Sequence, residues 1–351
     1  MATRLDVVHV VPHVRRVGNG IVNAVVDLAI AQAKDGYSVG VMSAGGEWSE
    51  LLSSYGVLHL ALPLDSWRSP GQWWRIIAAL RRMARAKPRI IHTHTLAALV
   101  LTFSLSRQPI IHTLHNPWQK ASFLGRILPR RSILLSASGD TGRGRTRVVV
   151  NGVVNSPRYG ESNMAVELVS PSVATVCGLH ERKGVQDLIR AVAKSRASWH
   201  LYIVGEGPYR RELEVEAERL DIAARVHFVG FQSDPAPWIA SADLFALVSH
   251  AEGGALVLTE ARMVGAPILY TAVGDMKSML RPRAGRAVAP ADPGGISVAL
   301  DEFAYDRGKL LSLASRSLEG LDYYSVERVN RDVLGVYREI RPDLEPTRVP
   351  R

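Results

Sequence analysis

Two glutamates, Glu252 and Glu260, stand eight positions apart in the segment EGGALVLTE. Between them, Gly253 and Gly254 lead into an apolar run that reads as a helix starting near Ala255 and Leu256. Glycines let a backbone approach a ligand closely. The free N–H groups of a helix's first turn, aided by the helix dipole, favour an anion. Glu260, about one turn in, can accept hydrogen bonds from vicinal hydroxyls such as those of a ribose. Glu252, ahead of the helix, can bind sugar hydroxyls. The bland alternative is a pair of solvated helix residues.

A second group is cationic. The segment ERKG sets Arg182 and Lys183 just before another helix. Cations there would clamp a diphosphate leaving group and neutralise the charge that grows on it. A third group is a glycine loop, Gly18-Asn19-Gly20, after the first strand. It fails as a dinucleotide fingerprint, because Asn23 stands where the third glycine belongs and no Asp follows about twenty residues on. A fourth group is histidine: His92, His94, His112 and His115 all fall at strand ends. His92 and His94, two apart, face the same side of a strand. Histidine is a common zinc ligand. No Cys or acidic partner completes a metal set, since Asp and Glu are absent from Ser66 to Gly139. No metal is assigned.

These residues need a scaffold, and the hydrophobic pattern supplies one. Val7–Val11, Ser38–Met42, Arg89–His94 and Pro109–Leu114 read as strands. The helical runs IVNAVVDLAIAQAKDG and Gln72–Ala86 lie between them. After Asn116 the pattern thins into a basic, loop-rich stretch, Lys120–Arg147, before Val148–Val150 and the turn Asn151-Gly152. Residues 156–172 read as a linker, and the alternation restarts at Val173. Strands predicted at Val173–Cys177, Trp199–Val204, Val226–Val229, Asp243–Val248 and Pro267–Tyr270 alternate with helices at Gly184–Ser195, Pro208–Leu220 and Ala255–Val264. Such alternation argues for parallel sheets covered on both faces. The expectation is α/β: two tandem Rossmann-like, doubly wound domains, 1–155 and 173–324, with ligands at the carboxyl ends of the strands in the cleft between them. A final helix, Ser325–Ile340, is expected to pack back on the first domain.

The chain has 351 residues, 47% hydrophobic and 22% charged, ordinary for a globular protein. A single cysteine, Cys177, rules out an internal disulfide and suits a reducing cytoplasm. The start reads as a strand rather than a signal region. The apolar run Leu96–Leu105 is too short to cross a bilayer. The net charge of +10 is lopsided. Residues 1–155 carry 19 Lys+Arg against 7 Asp+Glu, and the remainder is slightly acidic. The basic half must face something anionic: nucleic acid, an anionic membrane or a phosphorylated substrate. Trp67–Arg89 alone holds seven Lys+Arg, no acid, and Trp67, Trp73 and Trp74. On a helix, Trp73, Ile76, Ile77 and Leu80 form one stripe, with Arg75, Arg82 and Arg85 mostly away from it. That is either a core stripe with a solvated back or a surface that rests on an anionic membrane. No nucleic-acid module is recognisable.

The segment EGGALVLTEARMVGAPI resembles the E-x7-E element of the family 4, GT-B-fold glycosyltransferases. GNGIVNAVVDLAIAQAKDGYSV, IIHTHT, TLHN, VVNGV, VCGLHERKGVQDLIRAV, YIVGEGPYRRELE, VHFVGF and SADLFALVSHAEGG continue that resemblance in order. It implies a retaining, metal-independent transfer from a nucleotide-sugar to a hydroxyl of a carbohydrate or lipid-linked acceptor, with no cofactor. It implies His115, Lys183 and Glu252 at the reaction. It gives the donor Gly18, Gly20, Arg182, Gly205, Gly230, Gly253, Gly254, Ala255, Leu256 and Glu260, and it sets Asn19, His94 and Asn116 on the acceptor side. Two departures stand out. Gly178 replaces the family's usual Arg, and only 34 residues separate Asn116 from Asn151. A sugar-nucleotide epimerase or hydrolase of the same fold, and a basic nucleic-acid-binding protein, are the competing readings.

Overall fold

The computed structural model describes residues 4–62, 73–115, 132–136, 146–158, 165–252, 255–274, 276–280 and 284–347. The chain divides into two compact units, one of Met1–Arg158 with Tyr324–Arg351 and one of Tyr159–Tyr323. Among the described residues no helix is long and apolar enough to cross a membrane.

Unit 1 holds a seven-stranded sheet: β1 (Val7–Val10), β2 (Val39–Ser43), β3 (Leu58–Ala61), β4 (Ile90–Thr93), β5 (Ile110–Leu114), β6 (Ser132–Ser136) and β7 (Thr146–Val148). The order is β3-β2-β1-β4-β5-β6-β7, and every pairing is parallel. The central strands read as apolar runs because helices cover both faces. Helix α1 (Gly20–Lys34) follows β1, and its N-cap is Asn19, whose side chain accepts from the amide of Ile21. Helices α2 (Trp48–Ser54), α3 (Trp73–Ala86) and α4 (Leu96–Leu105) complete the first crossovers. Strand β6 lies inside the stretch expected to be loop-rich. Its five residues, SILLS, form an isolated apolar run too short to stand out between arginines.

The terminal helix of unit 1, numbered α12 (Val326–Ile340), packs on α1. The backbones of Val154 and Val326 meet through Tyr324, with Val154 N donating to Tyr324 O at 3.0 Å and Val326 N to Val154 O at 2.9 Å. Val329, Val333 and Tyr337 join the core formed by Val22, Val25 and Val26 of α1.

Unit 2 repeats the plan. Its strands are β8 (Ser172–Val176), β9 (His200–Val204), β10 (Val226–Gly230), β11 (Leu244–Leu247), β12 (Ile268–Thr271) and β13 (Arg286–Val288). They run β10-β9-β8-β11-β12-β13, again all parallel. The helices are α5 (Val185–Lys194), α6 (Arg210–Arg219), α7 (Ala236–Ser241), α8 (Leu256–Met263), α9 (Met276–Met279), α10 (Pro293–Tyr305) and α11 (Arg307–Ser317). Leu188, Ile189 and Val192 of α5 and Ile296, Leu300 and Phe303 of α10 pack on the sheet through Val173, Leu201 and Ala246. In each unit the strand order reverses once, between β1 and β4 and between β8 and β11, which is where such sheets bind ligands.

A buried ion pair ties the end of the first polypeptide crossing to α1. Arg158 donates from Nε to Asp27 Oδ1 at 2.8 Å and from its terminal nitrogen to Oδ2 at 2.9 Å. Ser156 Oγ donates to the same carboxylate at 2.6 Å. Burial pushes the Asp27 carboxyl up from its ordinary value, and Arg158 pulls it partly back. Removing one member strands the other in a dry site. Arg158→Met is therefore expected to lower unfolding free energy by about 3–5 kcal/mol, read from urea titrations. A loss below about 1 kcal/mol would place the pair with surface ion pairs instead.

Candidate active site

In unit 2 the candidate residues gather at the carboxyl ends of β8, β9 and β11. Glu181–Lys183 form a single tight turn, and Gly184 follows with φ of 69° before α5 begins. Any Cβ at Gly184 would overlap the carbonyl oxygen of Val248. That close approach locks the turn to the segment after β11: His250 N donates to Arg182 O at 2.8 Å, and His250 Nε2 lies 2.6 Å from Asp187 Oδ2.

The side chains then meet. Lys183 Nζ donates to Glu252 Oε1, and Ser249 Oγ donates to the same oxygen at 2.8 Å. Arg182 stands 3.9 Å from Glu252 Oε2 and donates to Ala251 O at 3.2 Å. Glu252 is buried, Lys183 is mostly buried, and the Arg182 guanidinium is exposed. Two cations and one carboxylate thus form a preassembled cluster with an excess positive charge. Ala255 is the N-cap of α8 and gives no side-chain cap bond. The first-turn N–H groups therefore lack a side-chain cap, as an anion site requires. Leu256 opens the helix and is buried, and Glu260 is half-buried within it. Gly253 and Gly254 lie outside the described residues.

Gly205, at φ 137°, follows β9, donates to Gly230 O at 2.8 Å and leaves no room for a Cβ against Cys177 O. Gly230 sits at φ 82°. These glycines draw three strand ends together beside Gly178. At Gly178 itself a Cβ would meet nothing closer than His180 at 3.7 Å, so packing does not demand the glycine.

Unit 1 carries a buried network of rings. Register sets His9 of β1 beside His92 of β4. His9 Nδ1 is 3.1 Å from His94 Nε2, and His94 Nδ1 is 3.2 Å from His115 Nε2. His9 Nε2 is 2.9 Å from Gln32 Oε1. His92 lies 2.6 Å from both the Tyr337 hydroxyl and Thr113 Oγ1. His112 turns away to the hydroxyl and carbonyl of Thr93. A small pocket of about 20 Å³ is lined by His94 and His115 together with Asp27, Leu28, Val149 and Val329. One nitrogen from each of His9, His92 and His94 lies within 4.8 Å of the others, a spacing that a metal ion could use. Both nitrogens of all three rings already have hydrogen-bond partners.

Gly18 sits at φ 61°, Asn19 caps α1 and Gly20 is its first residue. Asn116 lies outside the described residues.

Two family descriptions match the chain: "Glycosyltransferase Family 4" over residues 18–152 and "Glycosyl transferases group 1" over residues 170–306. The chain belongs to these glycosyltransferases. The lipopolysaccharide core biosynthesis glycosyltransferase LpsE of Rhizobium meliloti is 30% identical over 185 residues. That match spans 52% of this chain and 51% of LpsE, about half the length of the relative. The mannosyltransferase LpsB of the same organism is 22% identical over 95% of this chain and 98% of its own. Among solved structures, Anabaena HepE in complex with UDP and glucose superposes with a TM-score of 0.79 at 20% identity, covering 95% of this chain and all of HepE. The glycosyltransferase therefore has the GT-B fold of two Rossmann-like units.

Sequence reasoning did not find His9, Gln32, Tyr337 or Asp27. A histidine inside the apolar run VVHV was the available signal, but its partners depend on strand order. Burial pushes His9 and His112 down to about 4 and His115 to about 3, and holds His92 and His94 well below the ordinary value. The neighbouring rings add to the effect on His92, His94 and His115. The unfolded chain binds these protons near the ordinary 6.5, so between that pH and about 4 it holds more protons than the folded chain. Stability is therefore complete above about pH 6.5 and falls as the solution is acidified towards pH 4. Urea midpoints measured across that range should fall steeply in the parent and less steeply in His9→Gln.

Proposed function

We propose that the glycosyltransferase moves a sugar from a nucleotide-sugar, UDP- or GDP-linked, to a hydroxyl of a carbohydrate or lipid-linked acceptor. Configuration is retained and no metal or cofactor takes part. The observation that carries the reading is the cluster of Lys183, Arg182 and Glu252 beside the α8 N-terminus. Its excess positive charge suits a diphosphate, and its carboxylate suits the hydroxyls of the transferred sugar. Glu260 holds the ribose. HepE, the similar structure, is described with UDP and glucose, which favours the UDP form.

In the reaction the bond between the anomeric carbon and the phosphate oxygen breaks, and its electron pair goes to the diphosphate. Lys183, Arg182 and the α8 amides stabilise that charge. The acceptor oxygen bonds to the same face of the anomeric carbon, and its proton passes to the departing phosphate. His115 acts at the reacting centre, and His94 lines the acceptor side. Rate is gained by positioning and fixed charge rather than by a protein nucleophile.

A panel of UDP-, GDP-, ADP- and dTDP-sugars tests the donor by thermal shift. A cognate donor at about a hundred times its dissociation constant should add about 2.7 kcal/mol. Glu260→Ala should weaken binding of the bare nucleotide by about 1.5–3 kcal/mol for each hydrogen bond lost to the charged acceptor. Binding equal to the parent's would remove Glu260 from the ribose. Steady release of free sugar without an acceptor would favour the hydrolase reading.

The printed names of LpsE and LpsB place those relatives in lipopolysaccharide core synthesis. They support, for this chain, the proposal of a polysaccharide or glycolipid acceptor at the inner face of the cytoplasmic membrane. The α3 surface supports it. Ile76, Leu80 and Met83 are buried, whereas Trp73 and Trp74 are exposed at 37% and 68%. Arg75 beside them and Arg81, Arg82 and Arg85 further along the helix are exposed. Exposed indoles and arginines on one helix suit an anionic interface, at about 1 kcal/mol per arginine. Trp67 and most of the second basic stretch, Lys120–Arg147, lie outside the described residues. Co-sedimentation with anionic vesicles at low salt should exceed that with neutral vesicles and should fall as salt rises. Equal recovery with both would remove the membrane from the reading.

A further inference from the structure

The ring network of unit 1 has a property that its separate hydrogen bonds do not reveal. A neutral imidazole has one nitrogen that donates and one that accepts. Gln32 Oε1 can only accept, so His9 Nε2, 2.9 Å away, carries a hydrogen. His9 Nδ1 is then a lone pair, and His94 Nε2 must donate to it across 3.1 Å. His94 Nδ1 is in turn a lone pair, and His115 Nε2 must donate to it across 3.2 Å. His115 Nδ1 is left without a hydrogen.

The other branch obeys the same logic. Gln32 Nε2 donates to the Tyr337 hydroxyl at 3.3 Å. Tyr337 therefore donates to His92 Nδ1, and His92 Nε2 donates to Thr113 Oγ1. Turning the Gln32 amide by half a revolution reverses every bond in both branches. A mixed arrangement leaves either two facing lone pairs or two facing hydrogens in a dry site, which is costly. His9, Gln32, His92 and Tyr337 are fully or almost fully buried, so water is not at hand to repair the fault. Burial holds all the rings neutral, and no carboxylate bonds to them among the described residues.

We propose that Gln32 is a positioning residue whose amide oxygen, facing His9, acts through His9 and His94 to keep the His115 proton on Nε2 and leave Nδ1 bare. His115 lines the pocket, and among the described residues its Nδ1 has no partner. With the amide as placed, Nδ1 accepts a hydrogen bond from a hydroxyl. With the amide reversed it donates one. The catalytic consequence rests on the assignment of His115 to the reacting centre, but the proton arrangement does not.

The test uses the full chain labelled with 15N-histidine and long-range proton–nitrogen spectra at neutral pH. His115 signals are assigned by their loss in His115→Ala. The parent should have protonated Nε2 and bare Nδ1 at His9, His94 and His115. Gln32→Glu keeps an acceptor facing His9 and should preserve that pattern. Gln32→Met removes it and should move the His115 proton, in part or whole, to Nδ1. Turnover of Gln32→Met should fall about tenfold or more, as expected when one hydrogen bond at the reacting centre is lost. Its KM for the nucleotide-sugar should stay unchanged, and Gln32→Glu should restore the rate. A protonated His115 Nδ1 in the parent, or an unmoved His115 spectrum in folded Gln32→Met, overturns the proposal. If Gln32→Met does not fold, the parent spectrum alone decides. Stoichiometric zinc or nickel in the purified protein would also overturn it, because a metal on His9, His92 and His94 displaces these bonds. An ordered chain with unchanged turnover in His115→Ala supports the proposal and overturns only the catalytic assignment of His115.

Discussion

Every strand in both sheets is parallel, and a parallel neighbour is reached only by a crossover over one face. Each unit first winds outward from its central strand, β1 to β3 and β8 to β10, and then returns to build the other side. Connections on the two sides of the reversal leave by opposite faces, so a crevice opens at the carboxyl ends. The candidate residues gather there. His94 and His115 follow the ends of β4 and β5, while Gly178 and Glu252 follow the ends of β8 and β11. Helix coverage of both faces also explains why so much polar chemistry is dry.

Polar groups in such a place must be fully bonded. Unit 1 solves this with interlocking sets on α1, Asp27 with Ser156 and Arg158, and Gln32 with His9 and Tyr337. Both occupy a helix whose other inward residues are apolar. Each set ties α1 to a distant part of the chain, at Arg158 and at α12. The buried polar residues thus set the position of the C-terminal helix as well as the wall of the pocket. An apolar α1 would still pack on β1, but it would not specify those partners.

Unit 2 stores its polarity as charge. Glu252 and Lys183 neutralise each other before any ligand arrives, and Arg182 keeps its guanidinium in solvent. The arrangement pairs a lysine with a carboxylate in a largely dry site while leaving the Arg182 guanidinium exposed. Gly178 occupies an open position where a longer side chain would fit. The reduced cation count is therefore a property of the residue chosen, not a demand of packing. On the proposed reading it leaves more of the electrostatic burden to Lys183, Arg182 and the α8 amides.

Much of this was legible in one dimension. Strand–helix alternation announced two doubly wound units, because burial on both faces writes apolar runs into each central strand. Motif order announced the glycosyltransferase family, and the E-x7-E spacing announced the α8 start. Strand β6 escaped notice because five residues among arginines carry too little periodic signal. The His9–His94–His115 chain was not legible at all, although His94 and His115 were both singled out. Tyr337, which closes that network, is 245 positions from His92. Which rings share a site depends on strand order and register, and those are decided by the summed burial of a whole sheet rather than by any local run.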